Sequence, residues 1–143
     1  MTALTPFHLA FPVHDMDAAR AFYVDVIGCG TGREDPGHWL DLDMFGHQVV
    51  AHYKEGMETG IAIRNAVDGD AVPVPHFGCV LAMSDWEALR DRLVARGDIT
   101  WIIEPRVRFA GKPGEQATMF VLDPSGNALE FKAFADMSQL FAT

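Results

Sequence analysis

His8, His76 and Glu130 are the side chains of this sequence whose types and settings could do chemistry together. Each falls in a stretch that alternates as a strand, on the side occupied by small neighbours. His8 shares its side with Ala10 and Pro12, while Leu9 and Phe11 take the other. His76 shares its side with Gly78, Val80 and Ala82, opposite Phe77 and Leu81. Glu130 lies with Ala128 and opposes Leu129 and Phe131. Small neighbours leave room for a cavity. A carboxylate on a strand whose other side is apolar must be solvated, paired or bound to a cation. One strand histidine alone is most often a surface or hydrogen-bonded residue. Two imidazoles and a carboxylate together make the 2-His-1-carboxylate set, which suits Fe(II) and also Mn, Zn or Ni.

The elements that must position these residues run twice. Phe7, Leu9, Phe11 and Val13 form the bulky face of an opening strand. Asp15 is the expected N-cap of a helix whose apolar positions are Met16, Ala19, Phe22, Tyr23, Val26 and Ile27, and Gly28 stops it. Strands follow near 39–42 and 47–53, joined by a turn at Phe45-Gly46. Residues 55–75, with Gly56, Gly60, Gly69, Pro73 and Pro75, read as a linker holding one short strand or turn around 61–63. A strand over 76–83 restarts the pattern. Ser84-Asp85-Trp86-Glu87 matches a capping box, and the next helix should bury Trp86, Leu89, Leu93 and Val94 before stopping at Gly97. Strands at 99–103 and 118–122 flank a polar loop over 104–116, which carries Arg106, Arg108, Lys112 and Glu115. The turn Asp123-Pro124-Ser125-Gly126 leads into the closing strand with Glu130. His8 and His76 stand 68 residues apart in matching opening strands, which points to an internal duplication.

The totals narrow the function classes. At 143 residues one domain with a real core is expected. A net charge of −9 argues against nucleic acid or an anionic membrane as the main partner. The first residues lack the pattern of a signal peptide, and no apolar run approaches the roughly 20 residues of a membrane span. Cys29 and Cys79 stand apart without CxxC spacing, and Cys79 reads as a small core residue. A cytoplasmic, reduced protein is the expectation.

The opening strand with His8, the segment from Asp15 to Ala21-Phe22-Tyr23, the His76 strand and the ending Asp123-Pro124-Ser125-Gly126-Asn127-Ala128-Leu129-Glu130 together resemble the vicinal oxygen chelate superfamily. That superfamily includes glyoxalase I, bleomycin and fosfomycin resistance proteins and extradiol dioxygenases. The resemblance implies an α+β fold of two βαβββ modules curled into a half-open barrel around a divalent metal. Module 1 would span about 5–54, the linker about 55–75 and module 2 about 76–134, within one domain. It carries over His8, His76 and Glu130 as metal ligands, with Fe(II) or Mn(II) favoured and Zn, Ni or Co also suitable. It also implies a homodimer. Enzymes like glyoxalase I place a fourth ligand in the last strand of the first module. Aligning Gly46 with Gly126 puts Val50 at that place, and valine cannot bind metal. Gln48 and His52 flank it on the same side, so either could enter the site. The expected function is therefore a metal-dependent enzyme on a small substrate with vicinal oxygens, dioxygenase-like with three protein ligands. His52 is the expected acid/base and Arg108 the expected partner of an anionic substrate. The alternatives are a glyoxalase-type lyase or isomerase, and a binding or resistance protein without catalysis.

Overall fold

Alternation in the opening stretch becomes β1 (His8–Val13), with Phe11 and Val13 buried and His8, Ala10 and Pro12 exposed. Phe7, expected on the bulky face, is exposed because the strand starts one residue later. This computed structural model describes residues 4–59, 63–67 and 70–143, and the chain divides into two compact units, Met1–Ile61 and Ala62–Thr143.

In the first unit Asp15 caps the helix as expected, its Oδ1 accepting from the Ala18 amide at 3.0 Å. After α1 (Met16–Arg20) the winding loosens into a π-helical segment, Ala21–Ile27, and Gly28 ends it at φ 92°. The wider turn still buries Phe22, Tyr23, Val26 and Ile27. The Tyr23 ring stands 5.2 Å from that of Phe11, joining helix to strand. Three strands follow: β2 (Gly30–Asp35), β3 (Trp39–Met44) and β4 (His47–Tyr53). Phe45 and Gly46 both have positive φ, 51° and 90°, as a two-residue hairpin turn requires. All six residues of β2 are exposed, so the strand has no apolar alternation by which the sequence could announce it. The sheet runs β1-β4-β3-β2, with β1 parallel to β4.

The second unit opens on a hairpin, β5 (Ile63–Val67) with β6 (Asp70–Val74), inside the stretch read as linker. Of the short strand or turn expected around 61–63, residues 61 and 62 lie outside the described residues, while Ile63 begins β5. The expected strand over 76–83 is reduced to β7 (Val80–Leu81) and a bridge between Phe77 and Leu129. Main-chain bonds nevertheless run along it: Glu130 N to Phe77 O at 2.8 Å and Lys132 N to Cys79 O at 3.0 Å. Gly78 lies so close that a Cβ there would stand 1.7 Å from the Glu130 carbonyl oxygen.

Helix α2 (Met83–Ala95) begins one residue before Ser84, with Ala82 at its N-cap and no side-chain capping bond. The capping box therefore does not form. Trp86, Leu89 and Leu93 are buried as expected, but Val94 is exposed, and the helix ends at Ala95, short of Gly97. Strands β8 (Thr100–Arg108), β9 (Gln116–Leu122) and β10 (Ala128–Phe134) complete the sheet β7-β10-β9-β8. β8 takes in Arg106 and Arg108, which the sequence assigns to a loop; both pair with β9, opposite Thr118 and Gln116.

β10 is central, and Leu129, Phe131 and Ala133 are fully buried. Trp86 Nε1 donates to the Phe131 carbonyl at 2.8 Å and ties α2 to this strand. The preceding turn is held by Asp123, whose buried carboxylate accepts from the Ser125 and Asn127 amides at 2.9 and 2.8 Å. Apart from the β5–β6 hairpin, both units follow the order strand, helix, three strands, with matching sheet orders. The registers match as well: Leu9 pairs with Val49 as Phe77 pairs with Leu129. Among the described residues no helix is long and apolar enough to cross a membrane.

Candidate metal centre

Glu130 projects from the middle of β10 with only 12% of its side chain exposed. One carboxylate oxygen, Oε2, accepts from the hydroxyl of fully buried Thr118 at 2.7 Å. The other, Oε1, faces His76 Nε2 at 3.5 Å and Lys132 Nζ at 3.9 Å. The His76 ring is fixed on two sides. It packs edge-on against Phe120, centroids 4.7 Å apart, and its Nδ1 lies 2.7 Å from the Pro73 carbonyl oxygen. A carbonyl only accepts, so Nδ1 carries a proton and Nε2 is the ring nitrogen turned toward the carboxylate. At 3.5 Å the pair is beyond ordinary hydrogen-bond length. Two electron-rich atoms so placed are stabilised by a proton or a cation between them.

On the floor beside them, Val72 from the hairpin joins Ile103, Phe120 and Ala128 in an apolar cluster. Phe120 is the register partner of Glu130, so this cluster lies on the Glu130 side of the sheet. Cys79, just before β7 and bonded through its carbonyl to the Lys132 amide, is kept as a thiol: burial pushes its pKa up to about 11. It offers no thiolate nucleophile around neutrality.

His8 belongs to the first unit, exposed on β1, with Nδ1 2.8 Å from Gln48 Oε1 on the neighbouring strand. His76 and Glu130 are thus brought together within the second unit. Among the described residues no three His, Cys, Asp or Glu side chains are gathered into a metal-holding group. Val50 is buried, pairing with Ala10 and Asp41. His52 is exposed on β4, paired with Pro12 and Trp39. The side chain of Arg108 is only 13% exposed, with its guanidinium 4.0 Å from Asp70, to which Arg106 is also paired. His14 and His38 are exposed. His47 is half-buried, and its Nδ1 accepts from the Phe7 amide at 2.8 Å.

Residues 5–131 match the family model described as the Glyoxalase/Bleomycin resistance protein/Dioxygenase superfamily. The chain belongs to that superfamily. A glyoxalase/bleomycin resistance protein/dioxygenase from Alicyclobacillus acidocaldarius is 32% identical, each chain covered over 96%, with a TM-score of 0.76. At the level of fold alone, the chain also resembles the fosfomycin resistance protein FosX from Listeria monocytogenes, at 14% identity, coverage of 97% and 98%, and TM-score 0.65. Lactoylglutathione lyase from Agrobacterium tumefaciens is similar in fold too, at 18% identity, full coverage of both chains and TM-score 0.62. No curated protein matches the chain. The two four-stranded mixed sheets with few helices are the glyoxalase-like α+β arrangement.

Members of the superfamily typically bind divalent metals and small-molecule substrates, and often form dimers. The donor chemistry in this member fits such a cation. The second unit offers one imidazole lone pair and one carboxylate oxygen facing each other, and metal-ligating histidines characteristically bond their other nitrogen to a carbonyl or carboxylate. Thr118, the Pro73 carbonyl, Lys132 and Gly78 serve this site without having been singled out by sequence. Thr118 had a legible signal. It lies opposite Lys132 once β9 is laid antiparallel to β10, diagonal to Glu130. The Pro73 carbonyl had none, because main-chain acceptors look alike in every sequence.

Proposed function

We propose that this chain is a metal-dependent enzyme acting on a small substrate with vicinal oxygens, with His8, His76 and Glu130 as ligands to one divalent cation. The observation that carries the reading is the His76–Glu130 pair, with Nε2 and a carboxylate oxygen 3.5 Å apart and the outer atoms of both groups already bonded. Glu130 supplies the charge, and Thr118 holds the carboxylate so that Oε1 stays turned to His76. Fe(II) or Mn(II) is favoured over Zn, Ni or Co because the dioxygenase chemistry of such a three-ligand set needs a redox-active cation. When bound, the cation stabilises charge on two chelating substrate oxygens. Val50 aligns with Glu130 through the shared registers, which favours three protein ligands over four. Arg108, held beside Asp70, is the guanidinium we assign to an anionic group of the substrate.

His52 is the acid/base in this reading, on the same side of its strand as Gln48 and His8. His52→Ala should keep the full metal content and lower turnover on the order of 10²–10⁴-fold. Loss of metal in that variant would make His52 a fourth ligand and turn the reading toward a glyoxalase-type lyase or isomerase. The protein should also sediment as a homodimer at micromolar concentration, since each four-stranded sheet ends in open edges. A monomer alone would remove that part of the proposal.

Chelator treatment followed by single-metal reconstitution tests the reading as a whole. Turnover of vicinal diols or hydroxyketones should vanish with the metal and return with Fe(II) or Mn(II), with O₂ uptake marking a dioxygenase. Unchanged ligand binding in the chelated protein, with no turnover under any metal, would support a binding or resistance role instead. Lys132, whose ammonium lies 3.9 Å from Glu130 Oε1 and offsets part of its charge, favours that second reading.

A further inference from the structure

The first unit holds a side-chain chain that the fold alone does not require. His8 Nδ1 lies 2.8 Å from Gln48 Oε1, and Gln48 Nε2 lies 3.4 Å from Asp41 Oδ2. The three residues stand on adjacent strands of one sheet, β1, β4 and β3. Asp41 sets the direction. At 3.4 Å the contact is longer than an ordinary hydrogen bond, so Asp41 biases the Gln48 amide rather than clamping it: carboxylate oxygens favour the amide nitrogen and leave the amide oxygen facing His8. That oxygen in turn accepts only, which places the His8 proton on Nδ1 and the lone pair on Nε2. The Asp41 side chain is 14% exposed, its Oδ2 also 4.0 Å from Arg33 Nε, and a Cβ on Gly32 would stand 3.1 Å from its own Cβ. It is thus hemmed in by its neighbouring strand.

We propose that Gln48 and Asp41 are positioning residues that fix the His8 tautomer, presenting Nε2 as a donor to a cation. The inference rests on the reading of His8 as a ligand. It also gives the two units a common logic by different means. In the second unit the Pro73 carbonyl oxygen holds Nδ1 of His76 at 2.7 Å. In the first, a side-chain amide aimed by a carboxylate does the same for His8. Gln48 therefore contributes to the site without being a ligand itself. Partners of this kind typically change metal affinity by about 10–100-fold when removed.

The test reads the tautomer directly, by long-range proton–nitrogen NMR of the histidine rings in full-length, chelator-treated protein at pH 8.5. His8 is expected as the Nδ1–H form in the unsubstituted protein. Gln48→Leu should shift it toward the Nε2–H form that an unrestrained imidazole favours in water. Gln48→Glu, which keeps an acceptor, should hold Nδ1–H. Asp41→Asn, which lets the Gln48 amide turn, should shift it as Gln48→Leu does. In a parallel Mn(II) titration, Gln48→Leu should weaken binding about 10–100-fold. An Nε2–H form in the unsubstituted protein, or an unmoved tautomer in Gln48→Leu, overturns the proposal. If the tautomers behave as stated but unsubstituted protein takes up no Mn(II), the positioning role stands and the ligand assignment of His8 fails.

Discussion

Gly78→Ala is expected to destabilise the protein and to disturb Glu130 at the same time. An added Cβ would meet the Glu130 carbonyl oxygen at 1.7 Å and its carbonyl carbon at 2.6 Å. These are main-chain atoms of a buried central strand, so no flexible side chain can swing aside. Either the seam between residues 77–79 and β10 opens, losing the bonds from Glu130 N to Phe77 O and from Lys132 N to Cys79 O, or β10 shifts and carries Glu130 with it. Overpacking of this kind costs roughly 1–3 kcal/mol and occasionally more. For a chain of this size the Tm should fall on the order of 5–10 °C. Gly97→Ala is the control. Nothing lies within 4 Å of a Cβ there, and the variant should be neutral or slightly stabilised, by about 0.4–1 kcal/mol. Thermal denaturation of both variants checks the claim. Equal melting temperatures would mean that the strand approach at Gly78 is looser than described.

Glu130→Gln should abolish metal binding while leaving the metal-free fold intact. The variant keeps the shape of the side chain and still offers an oxygen to Thr118. It removes the negative charge that a divalent cation needs in this set. It also turns an N–H toward His76 Nε2, where the native carboxylate oxygen opposes a lone pair at 3.5 Å. Metal content should fall from one ion per chain to below about a tenth, because the remaining donors are neutral imidazoles. The metal-free variant should be as stable as the metal-free native protein or gain about 0.5–1.5 kcal/mol from the new hydrogen bond. Elemental analysis and thermal melts of chelated protein read the two halves separately. A variant that unfolds without metal would show that the carboxylate has a structural role beyond the one assigned here.

β10 and its turn were legible because Leu129, Phe131 and Ala133 alternate with smaller or charged residues, and Asp123 and Gly126 mark the bend. The first helix was legible through Asp15 and Gly28, though its π winding was not, since the same apolar positions serve either pitch. β2 and the hairpin of β5 and β6 were missed for opposite reasons. β2 is wholly exposed, whereas β6 carries Pro73, a residue type that ordinarily interrupts strands. Arg106 and Arg108 looked like loop residues because charge usually means solvent; on β8 they are balanced by Asp70.

The alignment of Val50 with Glu130, drawn from two glycines, matches the observed registers. The role of Gln48 was only half legible. The sequence placed it on the right side of β4, but its hydrogen bond to His8 depends on a strand pairing that no local pattern encodes.

Metal–ligand distances in protein purified without chelators, read by X-ray absorption or crystallography, test the central assignment most directly. One divalent ion per chain is expected, bonded to the imidazole nitrogens of His8 and His76 and to a Glu130 oxygen, at about 2.0–2.2 Å for a zinc-like ion. An ion held without Glu130 or His76, or no ion bound after reconstitution with Fe(II), Mn(II) and Zn(II) in turn, would contradict it.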